Sequence, residues 1–245
     1  MGIKQIYKKE RLDPGILSIL INPYYFIKKN LIAGLRRNSD YVHGIALDFG
    51  CGKRGYKDLF ATKVNVGLDI KKSGHNHSSE NIDIYYDGKR IPFRNESFDS
   101  IISIEVFEHV FNLEHILDEL NRVLKPGGNI LISTPFIWEE HEQPFDFARY
   151  TGFGMQHLLE THGFSVINIQ KSCGFIETIF QIWNSYVYKK LFCRSKLLQL
   201  ISIPLLVFPS NLIGTLLAFI LPKSKDLYLN LIVVAKKNSS IPSRR

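Results

Sequence analysis

The stretch Gly44–Gly55, GIALDFGCGKRG, decides the fold class of this chain. Its apolar run is bounded by glycines, which predicts a short buried strand that ends in a glycine-rich turn. A second strand, KVNVGLDI from Lys63, carries Asp69 near its end, about 20 residues beyond the turn. A strand, a glycine turn, a helix and an acidic residue ending the next strand are the local features of a nucleotide-binding unit.

Further apolar runs alternate with helical periodicity through residues 45–170. An apolar stripe at helical spacing predicts a helix from Leu113 to Leu124, which Lys125-Pro126-Gly127-Gly128 ends. The remaining predicted strands are SFDSIISI from Ser97, NILISTP from Asn129, SVINIQKSC from Ser165 and LYLNLIVVAKK from Leu227. This alternation predicts an α/β domain with a mostly parallel sheet covered by helices on both faces.

Two segments stand outside this alternation. Residues 1–40 form a basic, amphipathic helical segment that Pro23 is expected to divide. Residues 176–225 form an apolar helical insertion before the last strand, so the α/β domain comprises residues 41–175 and 226–238. Leu197–Leu221 contains no charge and could reach across a hydrocarbon layer, but Pro204 and Pro209 predict that it is not one straight helix.

The net charge of +8 is unevenly distributed along the chain. Residues 176–245 hold ten Lys or Arg against Glu177 and Asp226, whereas residues 41–175 are acidic overall. Basic residues beside apolar runs suit anionic lipid headgroups, which predicts association of residues 176–225 and the N-terminal segment with a membrane surface. If the last strand rejoins the sheet, a single crossing is excluded, and a shallow hairpin or interfacial helices remain. Helices that only cover the sheet or form a dimer contact are the alternative.

The three cysteines, Cys51, Cys173 and Cys193, have neither CxxC spacing nor an even-numbered framework. This argues against disulfides and a zinc site and fits a reducing cytosol. No metal is predicted, since His141, His157 and His162 lack ligand spacing. The N-terminus lacks the apolar core of a secretory signal, so the expected location is cytoplasmic, peripheral on the inner face of the cell membrane.

Four segments in fixed order carry a family resemblance: LDFGCG, GLDI, DGKRIPFRNESFDSIISIEVFEHV and LKPGGNILISTP. In this combination the chain resembles the class I S-adenosylmethionine-dependent methyltransferases, particularly the type 11 and ubiquinone-pathway group. The resemblance covers about residues 45–170 plus the final strand. It implies a Rossmann-like fold with a seven-stranded, mostly parallel sheet and S-adenosylmethionine as the cofactor.

The resemblance also implies which residues bind the cofactor. Those around its methionine part and along the turn are Asp48, Gly50, Cys51 and Gly52. Asp69, with Ile70 beside it, would bind the ribose, and a carboxylate at a buried strand end needs such a partner. Asp87, with Gly88, would face the adenine amino group, and Glu105 would border the cofactor. Cys51 has an alternative role as a small filler in the turn.

Methyl transfer from a sulfonium needs alignment of the reactants and, for a hydroxyl acceptor, removal of a proton. His109 comes after the predicted strand that begins at Ser97. Because an imidazole titrates near neutrality, His109 is the candidate general base. A histidine that only packs or hydrogen bonds within a helix is the equal alternative.

The segment HEQPFDFARYT, residues 141–151, resembles a motif of methyltransferases from bacterial polysaccharide and lipid-linked glycan pathways. Loops beyond the carboxyl ends of strands bind ligands in open α/β sheets, so Asp146, Arg149 and Tyr150 are candidate acceptor-binding residues. The alternative is a buried Arg-Asp pair that fixes the loop.

The sequence therefore predicts O-methylation of a sugar or other hydroxyl on a membrane-linked glycan or lipid precursor. A quinone-precursor methyltransferase and a non-catalytic scaffold at a membrane are the alternatives. Nucleic acid is not an expected partner, since the chain has no NPPY or DPPY quartet after the strand from Ser97 and no basic patch on the acceptor side.

Overall fold

The computed structural model describes residues 5, 9, 10, 13–71, 81–191 and 195–239. Cys193, Arg194 and most of the chain before Asp13 lie outside these residues. The chain divides into two compact units. A helical unit comprises Met1–Gly34 and Lys171–Asn230, and a sheet unit comprises Leu35–Gln170 and Leu231–Arg245.

The sheet has seven strands in the order β3-β2-β1-β4-β5-β7-β6. Their bounds are β1 Ile45–Phe49, β2 Val64–Ile70, β3 Ile84–Tyr86, β4 Phe98–Ile104, β5 Leu124–Pro135, β6 Phe164–Ser172 and β7 Asn230–Lys237. The β1–β2, β1–β4, β2–β3 and β4–β5 pairs are all parallel. The predicted α/β fold with a seven-stranded sheet is confirmed.

The core of the sheet unit lies on both sides of the central strands. Leu47 of β1, Ile101 of β4 and Leu131 of β5 are completely buried, as expected for parallel strands covered on both faces. The helices of this unit are α3, Leu113–Val123, and α4, Gly152–Thr161. The predicted stripe of α3 is buried against the sheet unit's core, and its bounds agree with the prediction to one residue.

The connection from β1 to β2 contains no α-helix, contrary to the expected strand-turn-helix pattern. Its only helical element is a 3₁₀ turn at Lys57–Leu59. Gly50, Gly52 and Arg54 all have positive φ, so the turn occupies the residues that a helix would need.

The segment Lys125–Gly128 is also not the predicted turn. It belongs to β5, which begins directly after α3. The register against β4 shifts between Phe98 and Ser100, and the Gly127 φ of +76° lets the strand bulge there.

The helical unit contains five helices within the described residues: α1 Ser18–Ile21, α2 Tyr25–Arg37, α5 Phe175–Tyr186, α6 Lys196–Ser202 and α7 Phe208–Ile220. The break between α1 and α2 at Pro23 is confirmed. A π-helical segment, Ile203–Val207, joins α6 to α7, so Lys196–Ile220 forms one helix of 25 residues. The α-helical geometry is interrupted at Ile203–Val207, where Pro204 lies, although the chain stays helical, and Pro209 lies in the first turn of α7.

The helical unit is held together by close packing and buried amides. Asn184 donates to Asn211 Oδ1 at 2.8 Å, and the Asn211 amide donates to the carbonyls of Ile19 and Asn22. A methyl group on Gly214 would lie 2.7 Å from Phe180 Cγ. The apolar insertion is therefore a hairpin of α5 against α6–α7 that packs on the N-terminal helices of the same unit.

Candidate functional site

The glycine turn after β1 approaches the segment after β4 too closely for any side chain. Gly50 has a φ of +69°, and a methyl group there would lie 2.5 Å from both γ carbons of Val106. Its N–H donates to the Leu68 carbonyl at 2.8 Å, which fixes the turn on β2. Glycine is thus required by conformation and by space.

Asp69 connects the end of β2 to this turn. Its Oδ2 accepts from the Gly52 N–H at 2.9 Å, and its Oδ1 accepts from the Ile70 N–H at 2.7 Å. The side chain is 7% exposed, so the carboxylate faces a largely enclosed space with both oxygens already oriented. A carboxylate oxygen can accept more than one hydrogen bond.

A cleft opens at the carboxyl ends of β1, β2, β3 and β4. It is lined by Phe49, Gly50, Asp69, Ile70, Tyr86, Glu105, Val106, His109, Val110 and Glu142. Half of these lining residues were predicted from the sequence, and the structure brings them together: Gly50, Asp69, Ile70, Glu105 and His109. The other five residues were not predicted.

Three residues that were predicted to bind the cofactor do not line the cleft. They lie at the end of β1 and in the glycine turn: Asp48, Cys51 and Gly52. Burial raises the pKa of Asp48 to about 6, although nearby Arg54 opposes the shift. Burial likewise raises the pKa of the Cys51 thiol, which keeps it protonated. A methyl group on Gly67 would lie 2.8 Å from Cys51 Sγ, so Cys51 fits the alternative role of a small filler.

Asp87 and Gly88, predicted to face the adenine, also do not line the cleft. Asp87 is exposed and accepts from the N–H groups of Lys89 and Arg90, at 2.9 and 3.1 Å. These backbone hydrogen bonds lower its pKa. The neighbouring Tyr86 lines the cleft instead, and burial raises the pKa of its hydroxyl.

Arg54 fixes the glycine turn against β2, a role that the sequence did not reveal. Its guanidinium donates to Asp83 Oδ2 at 2.9 Å and to Asn65 Oδ1 at 2.7 Å. Asp83 Oδ2 also accepts from the Gly67 N–H at 2.8 Å. These residues do not form a recognisable sequence pattern, so their contacts are visible only in the folded chain.

Glu105 begins the segment after β4 in a strained conformation. Its φ is +56°, which is rare for a residue with a side chain and is found most often at functional sites. The Ser133 hydroxyl donates to Glu105 Oε1 at 2.6 Å, and the Glu105 N–H donates to the Ser133 carbonyl at 2.9 Å. β5 thereby holds Glu105 at the rim of the cleft.

Glu108 and His109, which follow in the same segment, form an unusual pair of a buried and a half-buried side chain. Glu108 is completely buried, and neither carboxylate oxygen has a hydrogen-bond partner. Burial, and secondarily the charge of Glu105, raises the pKa of Glu108 well above its ordinary value. His109 Nε2 lies 3.7 Å from Glu108 Oε1 and 3.8 Å from Glu142 Oε2.

The loop of residues 141–151 is fixed by an ion pair. Arg149 donates to both oxygens of Asp146, at 2.5 and 2.7 Å. This pairing lowers the pKa of Asp146 to about 2. Burial raises the pKa of Tyr150, and none of these three residues lines the cleft. The described contacts are those of a loop-fixing pair, and acceptor binding stays a prediction.

Comparison with known proteins agrees with this geometry. Residues 47–132 match a family model described as "Methyltransferase domain", of the type 11 group. A probable S-adenosylmethionine-dependent methyltransferase from Mycolicibacterium smegmatis is 27% identical over 64% of this chain and 64% of its own length. The mitochondrial ubiquinone biosynthesis O-methyltransferase of Dictyostelium discoideum is 36% identical over 36% of this chain and 34% of its own length.

Solved structures share the fold at low identity. An S-adenosylmethionine-dependent methyltransferase from Archaeoglobus fulgidus has a TM-score of 0.52 at 16% identity, covering 96% of this chain and 100% of that one. The [4+2]-cyclase SpnF has a TM-score of 0.55 at 13% identity, covering 86% and 80%. Since a cyclase shares this fold, the fold alone does not determine the reaction.

The strand order, the glycine turn and the cleft at the carboxyl edge are those of the class I methyltransferase fold. Residues 47–132 match the type 11 methyltransferase domain, and the cofactor of such domains is S-adenosylmethionine. The chain spans less than two-thirds of the length of the curated relatives it matches, between 34% and 64% for the two named above.

Proposed function

We propose that the protein transfers a methyl group from S-adenosylmethionine to a hydroxyl oxygen of a glycan or lipid precursor linked to the cytoplasmic surface of a membrane. The observation that carries the reaction is the cleft in which Gly50 and Asp69 lie opposite Glu105 and His109. The proposed association with a membrane surface is supported by features of the helical unit.

The cleft suits the donor in three respects. The absence of a side chain at Gly50 leaves the backbone accessible, and Asp69 can accept from the ribose hydroxyls. The rings of Phe49 and Tyr86, with centroids 6.0 Å apart, supply apolar surface for the adenine. The partly enclosed cleft limits the access of water, which favours a displacement at a charged sulfonium.

Methyl transfer needs an aligned oxygen and an acceptor for its proton. The oxygen forms a bond to the methyl carbon while the carbon–sulfur bond breaks, which leaves neutral S-adenosylhomocysteine. His109 Nδ1 lies 2.8 Å from the Phe145 carbonyl, and a carbonyl can only accept, so Nδ1 carries the hydrogen. Nε2 of a neutral His109 could then take the proton, as the sequence predicted.

The helix Lys196–Ile220 supports association with a lipid surface. It is the one helix of the described residues that is long and apolar enough to cross a membrane. Large apolar side chains on it are solvent-exposed, including Leu200, Leu205 and Phe219. Exposed basic residues lie at both ends: Lys190, Lys196, Lys223 and Lys225. This arrangement complements an anionic lipid surface.

The connectivity supports a helix that lies on the membrane. The chain leaves the sheet at Ser172 and returns at Asn230, and β7 lies between β5 and β6. A single crossing would place these two ends on opposite sides of the membrane. An interfacial position needs no such separation.

A cavity in the helical unit supports a lipid-linked ligand. Its volume is ≈ 400 Å³, and it combines apolar walls with three lysines. The lining residues that matter here are Phe26, Phe175, Phe219, Lys29, Lys223 and Lys225. Aromatic walls beside cationic groups suit an acyl or prenyl chain that carries a phosphate.

A quinone-precursor methyltransferase is the second candidate. It would also need a membrane surface, and the Dictyostelium relative carries that activity in its name. A third candidate is a scaffold that does not catalyse. Relatives described as probable tRNA methyltransferases match too, but residues 41–175 are acidic here, which disfavours a phosphate backbone.

Transfer of tritium from methyl-labelled S-adenosylmethionine tests the proposal. The full chain would be incubated separately with a membrane lipid extract, a hydroxylated quinone precursor and total tRNA. We expect label in the organic phase of the lipid extract. Label only in the quinone would replace the proposed acceptor with the second candidate. Label in tRNA alone, or in no fraction, would overturn the proposal.

A further inference from the structure

Three potential metal ligands meet beside the cleft: Glu108, His109 and His141. Each offers one ligand atom, and these atoms all lie within 4.8 Å of one another. The rings of His109 and His141 also contact each other edge to face, with centroids 4.7 Å apart. His141 lies in the loop after β5, far along the sequence from Glu108 and His109. Sequence spacing therefore does not predict the cluster.

Glu108 is the first reason to regard this cluster as a built site. A carboxylate without hydrogen bonds in a dry interior is costly, because its solvation is lost without replacement. Both Glu108 oxygens are in this state, and Oε1 points toward His109 at 3.7 Å. A divalent cation at this position would satisfy the carboxylate.

The two imidazoles are oriented as metal ligands usually are. His109 Nδ1 is engaged by the Phe145 carbonyl at 2.8 Å. His141 Nδ1 lies 3.2 Å from the Glu139 carbonyl and 3.3 Å from Asp146 Oδ2. Acceptors at Nδ1 place the hydrogen there and leave a lone pair on Nε2, which is the outer-shell pattern of metal-binding histidines.

The separation of Glu108 Oε1 and His109 Nε2 is compatible with coordination after a small contraction, and the ligand atom of His141 lies within 4.8 Å of both. Ligand atoms about 2.1 Å from a tetrahedral ion lie roughly 3.4 Å apart. The 3.7 Å between Glu108 Oε1 and His109 Nε2 needs a shift of a few tenths of an ångström. Glu142 Oε2, 3.8 Å from the same nitrogen, is within reach as a fourth ligand.

We propose that Glu108, His109 and His141 bind one divalent transition-metal ion, with Glu142 as an additional ligand. Two imidazole nitrogens with carboxylate oxygen favour ions such as Zn²⁺ or Mn²⁺ over Mg²⁺, which prefers an all-oxygen shell. An ion pair between Glu108 and a protonated His109 is the competing explanation.

The role of the ion rests on the proposed function. His109 and Glu142 line both the cluster and the cleft, so the ion would face the acceptor end of the cleft. There it would bind the acceptor hydroxyl and lower its pKa, so that the proton would pass to water as the methyl group is transferred. His109 would then be a ligand, and the ion would replace it as the activating group.

Metal content of the tag-free full chain tests the site. The protein would be stripped with a chelator, loaded separately with Zn²⁺, Mn²⁺ or Mg²⁺, freed of excess ion and analysed by mass spectrometry of the metal. We expect ~1 Zn²⁺ or Mn²⁺ per chain and little Mg²⁺. Cobalt substitution gives a second readout, because visible absorption bands report nitrogen and oxygen ligands.

Two variants identify the ligands, and a third is the control. Glu108→Gln keeps the size of the buried side chain, and His141→Gln alters a loop residue, so circular dichroism can verify that either variant folds. Each should weaken Zn²⁺ binding roughly tenfold or more. His157→Gln is the matched control, because His157 is exposed on α4.

The outcomes separate the two proposals. Equal retention of metal in all variants, or none in the folded wild type, would overturn the site in favour of the ion pair. S-adenosylmethionine affinity, measured on the same samples, reports the donor site independently. Loss of metal with intact cofactor binding in Glu108→Gln and His141→Gln would support the metal site alone.

Discussion

Asp69 shows how one side chain can serve both the fold and a ligand. Its oxygens accept from the N–H groups of Gly52 and Ile70, which holds the glycine turn at the end of β2. The same oxygens face the cleft. Loss of the carboxylate should therefore weaken cofactor binding more than it weakens the fold.

Replacement of Asp69 tests this expectation at the residue scale. Asp69→Asn retains one carbonyl oxygen for the turn but loses the charge that strengthens hydrogen bonds to ribose hydroxyls. We expect S-adenosylmethionine to bind about 10- to 100-fold more weakly, as for loss of a charged hydrogen bond. Calorimetry would measure this, with exposed Asp58→Asn as the control. Equal affinity in both variants would remove Asp69 from the site.

Asp48 predicts a pH-dependent stability of the free protein. Its pKa is raised from 3.8 to about 6 by burial, so the folded state favours the protonated form. This stabilisation is complete below about pH 4 and is lost as the pH rises through 6.

Asp48→Asn should remove that pH dependence. Near neutral pH the variant should be more stable than the wild type by roughly 3 kcal/mol at most, because each pKa unit corresponds to about 1.4 kcal/mol. Near pH 4 the two proteins should be equally stable. Urea unfolding at several pH values would measure the difference. A constant difference across the range would show that Asp48 titrates normally.

The cleft residues that were predicted from the sequence lie in short, recognisable sequence patterns. Gly50 lies in a glycine turn, and Asp69 follows an apolar strand, so both could be predicted from short patterns. Val106 and Glu142 could not, because their place in the cleft depends on how separate segments meet. Tyr86 lines the cleft and the adjacent Asp87 is exposed, so the role of Asp87 in facing the adenine stays a prediction.

At the scale of elements, long periodic segments were predictable and short ones were not. The stripe of α3 gave its bounds nearly to the residue. β3 has only three residues, which are too few to show an alternation of apolar and polar side chains in the sequence. The chain stays helical from Lys196 to Ile220 despite Pro204, with a π-helical segment at Ile203–Val207 in place of α-helical geometry.

The contact of α7 with α5 yields a prediction at this scale. Alanine favours helices over glycine, yet the added methyl group of Gly214→Ala would lie 2.7 Å from Phe180 Cγ and 2.9 Å from Phe26 Cζ. Overpacking should outweigh helix propensity and lower the free energy of unfolding by about 1–2 kcal/mol.

Gly55→Ala provides the comparison for that experiment. No atom lies within 4 Å of a methyl group at Gly55, so its stability should change little. Urea unfolding measures both variants. An unchanged or more stable Gly214→Ala would mean that the helices pack less closely than described.

For the whole molecule, the chain combines an acidic segment, residues 41–175, with basic, apolar helices. This distribution of charge was readable from the sequence, because it requires only counting. The grouping of the N-terminal helices with the insertion into one unit was not readable, since their contacts are long-range.

Vesicle binding tests the membrane surface. Phe219 is 85% exposed on the apolar helix, and Phe153 is 87% exposed on α4 of the sheet unit. Phe219→Asn should weaken binding to vesicles of anionic lipid roughly tenfold, since burial of an aromatic side chain contributes about 1.5–3 kcal/mol. Phe153→Asn is the matched control. Equal binding of the two variants to sedimented vesicles would refute the proposed surface.

Calorimetric titration of the full chain with S-adenosylmethionine, S-adenosylhomocysteine and NAD tests whether the cleft is a donor site. We expect a dissociation constant in the micromolar range for the first two and no heat from NAD. Binding of NAD, or no binding of either sulfur compound by folded protein, would contradict this expectation.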